Sequence, residues 1–230
     1  MAHFVFETLA YLTGFRLYLW QRRRAGDALD SHTRWSIVAA AIAGAAVGSR
    51  LLFWFEDPEA TLAHWRNAEY LLGGKTVLGG LLGGVIGVEL TKKWLGITTR
   101  TGDLFAVPLA AGIAIGRIGC FLAGLPDRTY GVATTLPWGV DFGDGIRRHP
   151  TQLYESAALA LVALWLWRRQ SRPHPRGRIF QSFMIAYLAL RLVVDAIKPE
   201  VAVALGLSSL QWAALAGLVY YAHDWRHLHD

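Results

Sequence analysis

Cysteine and charge are what this chain has least of. Its 230 residues include one cysteine, Cys120, which excludes an internal disulfide and any zinc or iron–sulfur site built from cysteines. Cys120 itself reads as a small apolar side chain. Charged residues make up 17% against 53% hydrophobic, and mean hydropathy is +0.30, too apolar for an ordinary soluble domain of this length. No low-complexity stretch interrupts the chain, and nothing is left over for a soluble domain. Six of the ten tryptophans (Trp20, Trp54, Trp65, Trp94, Trp138 and Trp167) stand at or beyond the ends of apolar runs, where indoles favour the headgroup layer. The class is an all-α polytopic membrane protein.

Mostly apolar runs of the length that crosses a bilayer lie at about 4–20, 35–55, 71–90, 103–123, 151–168, 179–197 and 203–222. They predict about seven transmembrane helices in a single domain over residues 1–230. The first run carries Glu7 and Arg16 and has its basic cluster, Arg22, Arg23 and Arg24, after the apolar part. That order is the reverse of a cleavable signal peptide, so a retained span is expected. Lys and Arg gather on the cytoplasmic side of membrane spans. They are richest in the first, third and fifth loops (Arg22 to Arg24 and Arg34; Lys92, Lys93 and Arg100; Arg168, Arg169, Arg172, Arg176 and Arg178). The expected orientation is N-terminus outside, C-terminus inside. Cytoplasmic loops beside anionic lipid then account for the formal charge of +6, and no nucleic acid is implied.

Arg117 is the most informative residue. It lies in the uncharged run Ala106–Ala123, where an arginine costs roughly 3 kcal/mol on insertion scales. Arg191 sits in a second apolar run, 183–197. The predicted topology puts both in the outer part of the bundle. Tyr187, Arg191 and Asp195, spaced i, i+4, i+8, share one helix face. The fifth run opens with His149-Pro150-Thr151-Gln152-Leu153-Tyr154-Glu155, with proline near the first turn and Gln152 and Glu155 one turn apart at the same level. The third run adds Lys75 and Thr76. Two guanidiniums, each a fork of donors matched to phosphate, suit a phospholipid phosphodiester whose acyl chains remain in lipid. Gly116 and Gly119 leave the backbone beside Arg117 approachable. Gly79, Gly83 and Gly87, with Gly80 and Gly84, make small-residue faces on the third run.

Plainer readings stand beside these. The arginines can pair with Glu155 or Asp195 purely to fix helix packing, the glycines can be packing faces, and Tyr187 can be an interfacial aromatic. His223, His227 and His229 resemble a metal cluster but lack an acidic partner set, so no metal site and no cofactor is assigned.

In order along the chain, Gly116-Arg117-Ile118-Gly119, Pro137-Trp138-Gly139, Arg148 to Glu155, Tyr187 to Arg191 with Asp195 and Pro199, and finally Gln211 resemble the signature of the prolipoprotein diacylglyceryl transferases. The resemblance spans roughly residues 70–212, and several motifs in order are far more specific than any one alone. It implies a multi-pass enzyme of the bacterial inner (plasma) membrane. The implied reaction moves a diacylglyceryl group from phosphatidylglycerol to the lipobox cysteine beside a prolipoprotein signal peptide, with release of glycerol phosphate. It also implies that Arg117 and Arg191 are the two essential arginines, one for the headgroup and one for the leaving group. Tyr187 would orient substrate, and His149 through Glu155, including Gln152 and Tyr154, would shape the outer mouth.

Two positions depart from that pattern. Leu78-Gly79-Gly80 stands where the family usually has His-Gly-Gly, and Cys120 where it has an asparagine. The stretch Gly124 to Gly131 is also longer than the family's spacing. Leucine cannot move a proton, so a thiol base would have to be His149, Lys75 or Glu155, unless Arg191 and water suffice. Three readings therefore stay open: a prolipoprotein transferase with an altered proton path, a paralogue using the same donor on another acceptor, and a lipid-binding protein without catalysis. All require the two arginines to lie close enough to hold one headgroup.

Overall fold

In a computed structural model of the chain, which describes residues 2–226, the backbone is mostly helical, with nine α-helices among the described residues. Two of them, Ser31–Glu56 and Asp103–Ala123, are long and apolar enough to cross a membrane, each with a mean hydropathy of 1.8. Large apolar side chains also lie exposed on other helices: Phe4, Leu161 and Val193 are 74%, 67% and 70% exposed. Apolar exposure on this scale is expected of a surface facing lipid.

The helices fall into two compact units. The first contains α1 (Ala2–Ala25), α6 (Asp103–Ala123), a short 3₁₀ turn at Leu125–Asp127, the hairpin β1 (Val140–Asp141) and β2 (Arg147–Arg148), α7 (Thr151–Gln170) and α8 (Arg178–Asp195). Small residues set the approach of α1 to α6. A side chain at Gly112 would meet the Ala10 carbonyl at 3.3 Å, and one at Gly14 would meet the Pro108 carbonyl at 3.3 Å. Ser156 of α7 donates to the Ala114 carbonyl of α6 at 2.8 Å. Asp103 caps a helix far away in sequence, its carboxylate accepting from the backbone N–H groups of Gly177 at 2.6 Å and Phe180 at 2.9 Å. This satisfies two of the orphan donors at the start of α8, while Gly177 supplies the left-handed turn before it at φ +85°.

The second unit contains α2 (Ser31–Glu56), α3 (Pro58–Ala63), α4 (Ala68–Gly73), α5 (Val77–Trp94) and the hairpin β3 (Ala202–Ala204) and β4 (Leu207–Ser208). Asp30 caps α2 through Thr33 N–H at 3.1 Å, and Thr76 caps α5 through Gly79 N–H at 3.0 Å. The glycines of α5 let its backbone lie directly on α2, since a Cβ at Gly87 would sit 2.6 Å from the Ala40 carbonyl. The final helix α9 (Ser209–Arg226) begins in this unit, with Gln211 accepting from Ser208 N–H at 2.9 Å.

Several predicted boundaries move. The run 71–90 divides into α4 and α5 because Thr76 provides a cap inside it. The run 203–222 starts as a hairpin, and its helix begins only at Ser209. The two hairpins also modify the all-α expectation. His227 and His229 lie outside the described residues.

Candidate functional site

The first unit gathers its buried charges around one carboxylate. Glu155, fully buried one turn into α7, receives Arg117 Nη2 of α6 at 2.7 Å, Arg191 Nη1 of α8 at 3.3 Å and Lys198 Nζ, just beyond α8, at 2.8 Å. Arg191 also reaches back one turn, its Nη2 lying 2.7 Å from Asp195 Oδ1, with Lys198 Nζ 3.9 Å from the same oxygen. The i, i+4 spacing on α8 is what aims Arg191 and Asp195 at each other. Each arginine has one carboxylate at 2.7 Å, Glu155 for Arg117 and Asp195 for Arg191, and Glu155 links the two through the longer 3.3 Å contact to Arg191.

Among the described residues, three cations of this cluster face two carboxylates, an excess of one positive charge in a buried setting. A buried charge that lacks its counterpart costs several kcal/mol, so the cluster as folded favours an anion. Uncommitted polar groups lie within the same helices. Gln152, fully buried three residues before Glu155, has neither its amide nitrogen nor its oxygen hydrogen-bonded. The hydroxyl of Tyr187, fully buried one turn before Arg191, and Nε of Arg117 are in the same condition. Each such group costs about 1–3 kcal/mol unless something polar meets it. A phosphate ester, rich in acceptors and carrying one negative charge, matches both the excess charge and these donors.

The segment between α6 and α7 builds a second feature. His149 is fixed by its backbone: its N–H donates to the Val132 carbonyl at 3.1 Å, and its own carbonyl accepts from Gly131 at 2.9 Å. Its Nδ1 lies 3.3 Å from the Tyr154 hydroxyl, which in turn accepts from Trp138 Nε1 at 2.8 Å. Arg147 clasps the Pro137–Gly139 turn through the carbonyls of Pro137 at 2.7 Å and Gly139 at 3.1 Å. At the hairpin tip, Arg148 makes a two-pronged contact with Asp144, both prongs at 2.7 Å. That contact holds the exposed Asp144 carboxyl down at about 2 and raises the Arg148 guanidinium.

Gly116 and Gly119 lie against α1. Their open faces meet α1: a Cβ at Gly119 would lie 2.7 Å from Phe6 Cβ and 3.4 Å from the His3 carbonyl, and one at Gly116 would lie 4.0 Å from Ala10 Cβ. In the second unit Gly79 faces Leu52 and the Gly48 backbone of α2, and Gly80 faces Ser49 and Ala45. All four glycines serve helix packing. Leu78, at the start of α5 beside Gly79, is 1% exposed. Lys198 is not among the residues that the sequence singles out, and its part in the cluster emerges from the structure. The available signal was its spacing, three residues after Asp195, which continues the α8 face past the helix end.

Comparison with known proteins agrees with this picture. A family model described as prolipoprotein diacylglyceryl transferase matches residues 4–223. Proteins named phosphatidylglycerol–prolipoprotein diacylglyceryl transferase are similar along most of their length. The one from Cupriavidus necator is 35% identical over 231 residues, covering 90% of this chain and 82% of its own. Those of Bordetella bronchiseptica, at 35% over 225 residues (90% and 84%), and Nitratidesulfovibrio vulgaris, at 32% over 225 residues (90% and 81%), behave alike.

Proposed function

Because the chain belongs to the prolipoprotein diacylglyceryl transferase family, we propose that it moves the diacylglyceryl group of phosphatidylglycerol onto the lipobox cysteine thiol of a prolipoprotein, releasing glycerol phosphate. It is a phospholipid-dependent transferase. The observation that carries the site assignment is the sharing of buried Glu155 by Arg117 and Arg191, which holds two guanidiniums together with charge to spare.

The reaction forms a bond from sulfur to the glycerol carbon and breaks that carbon's bond to the phosphate oxygen, which leaves with the electron pair. Negative charge gathers on the departing phosphate, and preorganised cations in a water-poor site stabilise it most. Arg117 and Arg191 divide this work, one gripping the headgroup and the other the leaving oxygen. Gln152 and Tyr187 supply the remaining contacts to the ester through their uncommitted polar atoms. Glu155, held by three cations, is an anchor and a poor base. His149, with its ring fixed by Tyr154 and Trp138, takes the thiol proton in place of the histidine that Leu78 replaces. We place the site in the outer part of a single domain of about seven spans, N-terminus outside, in the bacterial inner membrane, with the signal-peptide region of the precursor docking at the mouth shaped by His149 to Glu155. The family match over residues 4–223 and the exposed apolar helix faces support that setting.

The test incubates the purified protein with phosphatidylglycerol and a lipobox peptide, following glycerol phosphate release and peptide mass together. Both should appear in step, and both should vanish in folded Arg117→Ala and Arg191→Ala. The buried leucine at position 78 favours one second reading, transfer to a different acceptor. Release without gain of peptide mass would select it, and no release with any acceptor would leave only lipid binding. For the topology, cysteines introduced by Asp144→Cys and Arg172→Cys into a Cys120→Ser background should react with an impermeant maleimide from outside only at position 144.

A further inference from the structure

We propose that His3, Cys120 and Asp127 form a binding site for a borderline-soft divalent cation of the zinc class. One ligand atom from each lies within 4.8 Å of the other two, although the residues come from the start of α1, the last turn of α6 and the 3₁₀ turn after it. Imidazole, thiolate and carboxylate are the three donor types that zinc takes, and bond lengths of about 2.0–2.3 Å put tetrahedral ligand atoms about 3.3–3.8 Å apart. Small side-chain rotations close that gap, and the His3 side chain, 39% exposed, has room for them.

The surroundings carry the inference further than the three ligands do. A metal-binding histidine usually offers its second nitrogen to a carboxylate, and a ligating carboxylate is itself hydrogen-bonded. Both features are present. His3 Nδ1 lies 3.3 Å from Asp127 Oδ1, while its Nε2 lies 3.6 Å from Glu7 Oε2. Glu7 in turn accepts from the Tyr11 hydroxyl at 3.0 Å, and Thr129 donates its hydroxyl to the other Asp127 oxygen. A protonated imidazole between two carboxylates would explain His3 and Asp127, while the Cys120 thiol, in reach of Asp127 and Arg117, adds to them the soft donor that a zinc-class ion takes. Gly119 lets the start of α1 lie close against α6 here, since a Cβ there would sit 2.7 Å from Phe6 Cβ. Cys120 replaces the asparagine of the resembled pattern and Asp127 lies in the lengthened stretch Gly124 to Gly131, and these two departures meet at this point. Cys120 follows Arg117 by three residues, about 4.5 Å along the helix, so an ion here would add positive charge one turn from that arginine. Three protein ligands leave a tetrahedral ion with one open position.

The experiment uses the full-length protein in detergent, stripped with a chelator and titrated with Co2+ as a spectroscopic substitute. A thiolate-to-cobalt charge-transfer band in the near ultraviolet is expected, and with a single cysteine in the chain it can come only from Cys120. His3→Ala and Asp127→Asn should each weaken binding by about tenfold or more, and Cys120→Ser should abolish the band. Absence of the band at saturating Co2+, or a band unchanged in both His3→Ala and Asp127→Asn, overturns the site. Should a variant fail to fold, the wild-type chain still decides the question: Zn2+ must slow maleimide alkylation of Cys120 by about tenfold or more, and unchanged alkylation refutes the proposal.

Discussion

Replacing Glu155 by glutamine removes one charge and leaves three cations facing only Asp195. At an effective dielectric near 20, a contact at the observed 2.7–3.3 Å is worth about 5–6 kcal/mol gross. Most of that offsets the desolvation already incurred by the buried ions. What survives when one partner of a buried pair is deleted is about 3–5 kcal/mol. For a chain of this size a loss of 1 kcal/mol lowers the melting temperature by about 2–4 °C, so Glu155→Gln should melt about 6–20 °C below the wild type in neutral detergent. The excess charge also rises from one to two. Adding phosphatidylglycerol to the micelles should therefore raise the melting temperature of the variant more than that of the wild type, whereas a zwitterionic lipid should not. A variant that melts with the wild type, or that anionic and zwitterionic lipids stabilise equally, would refute the reasoning that one carboxylate balances three cations.

Other outcomes follow from the same geometry. Arg191→Lys keeps the charge but cannot reach Glu155 and Asp195 together, so transfer should fall by about 10²–10³ in the glycerol phosphate assay with the fold intact by circular dichroism. Tyr154→Phe removes the partner of both His149 and Trp138 and should cost about 1 kcal/mol per hydrogen bond lost, read as a lowered melting point. Gly87→Leu forces a side chain into the Ala40 carbonyl and should destabilise by about 1–3 kcal/mol or more, measured by thermal unfolding. The Asp144 carboxyl is held at about 2, below an unfolded value of about 3.9. Its contribution to the hairpin is therefore present above pH 4 and lost as pH falls through about 2. Hydrogen exchange over residues 140–148 should show that acid transition, and Asp144→Asn should lack it.

The stripe on α8 was legible because a helix repeats its face every three to four residues. Tyr187, Arg191 and Asp195 needed only that period to be grouped, and charges inside apolar runs marked Arg117 and Arg191 as exceptional. Glu155 was placed at the right level by its one-turn spacing from Gln152. What stayed hidden depended on the third dimension. The spacing of Lys198 from Asp195 hints at its side of α8 but not that it meets Glu155, and no periodicity says that His3 comes down beside Cys120. Gly116 and Gly119 left both readings open, because a small residue that opens a surface to a ligand and one that admits a neighbouring helix look the same in sequence. The hairpins at 140–148 and 202–208 escaped because runs so short carry almost no alternation to read.

One consequence of the Glu155 arrangement concerns movement. A single side chain ties α6, α7 and α8 together at the same height, so these helices cannot part without rupturing every strand of that knot at once in surroundings that strongly resist it. A lipid and a secreted precursor must therefore come and go around the fastened trio.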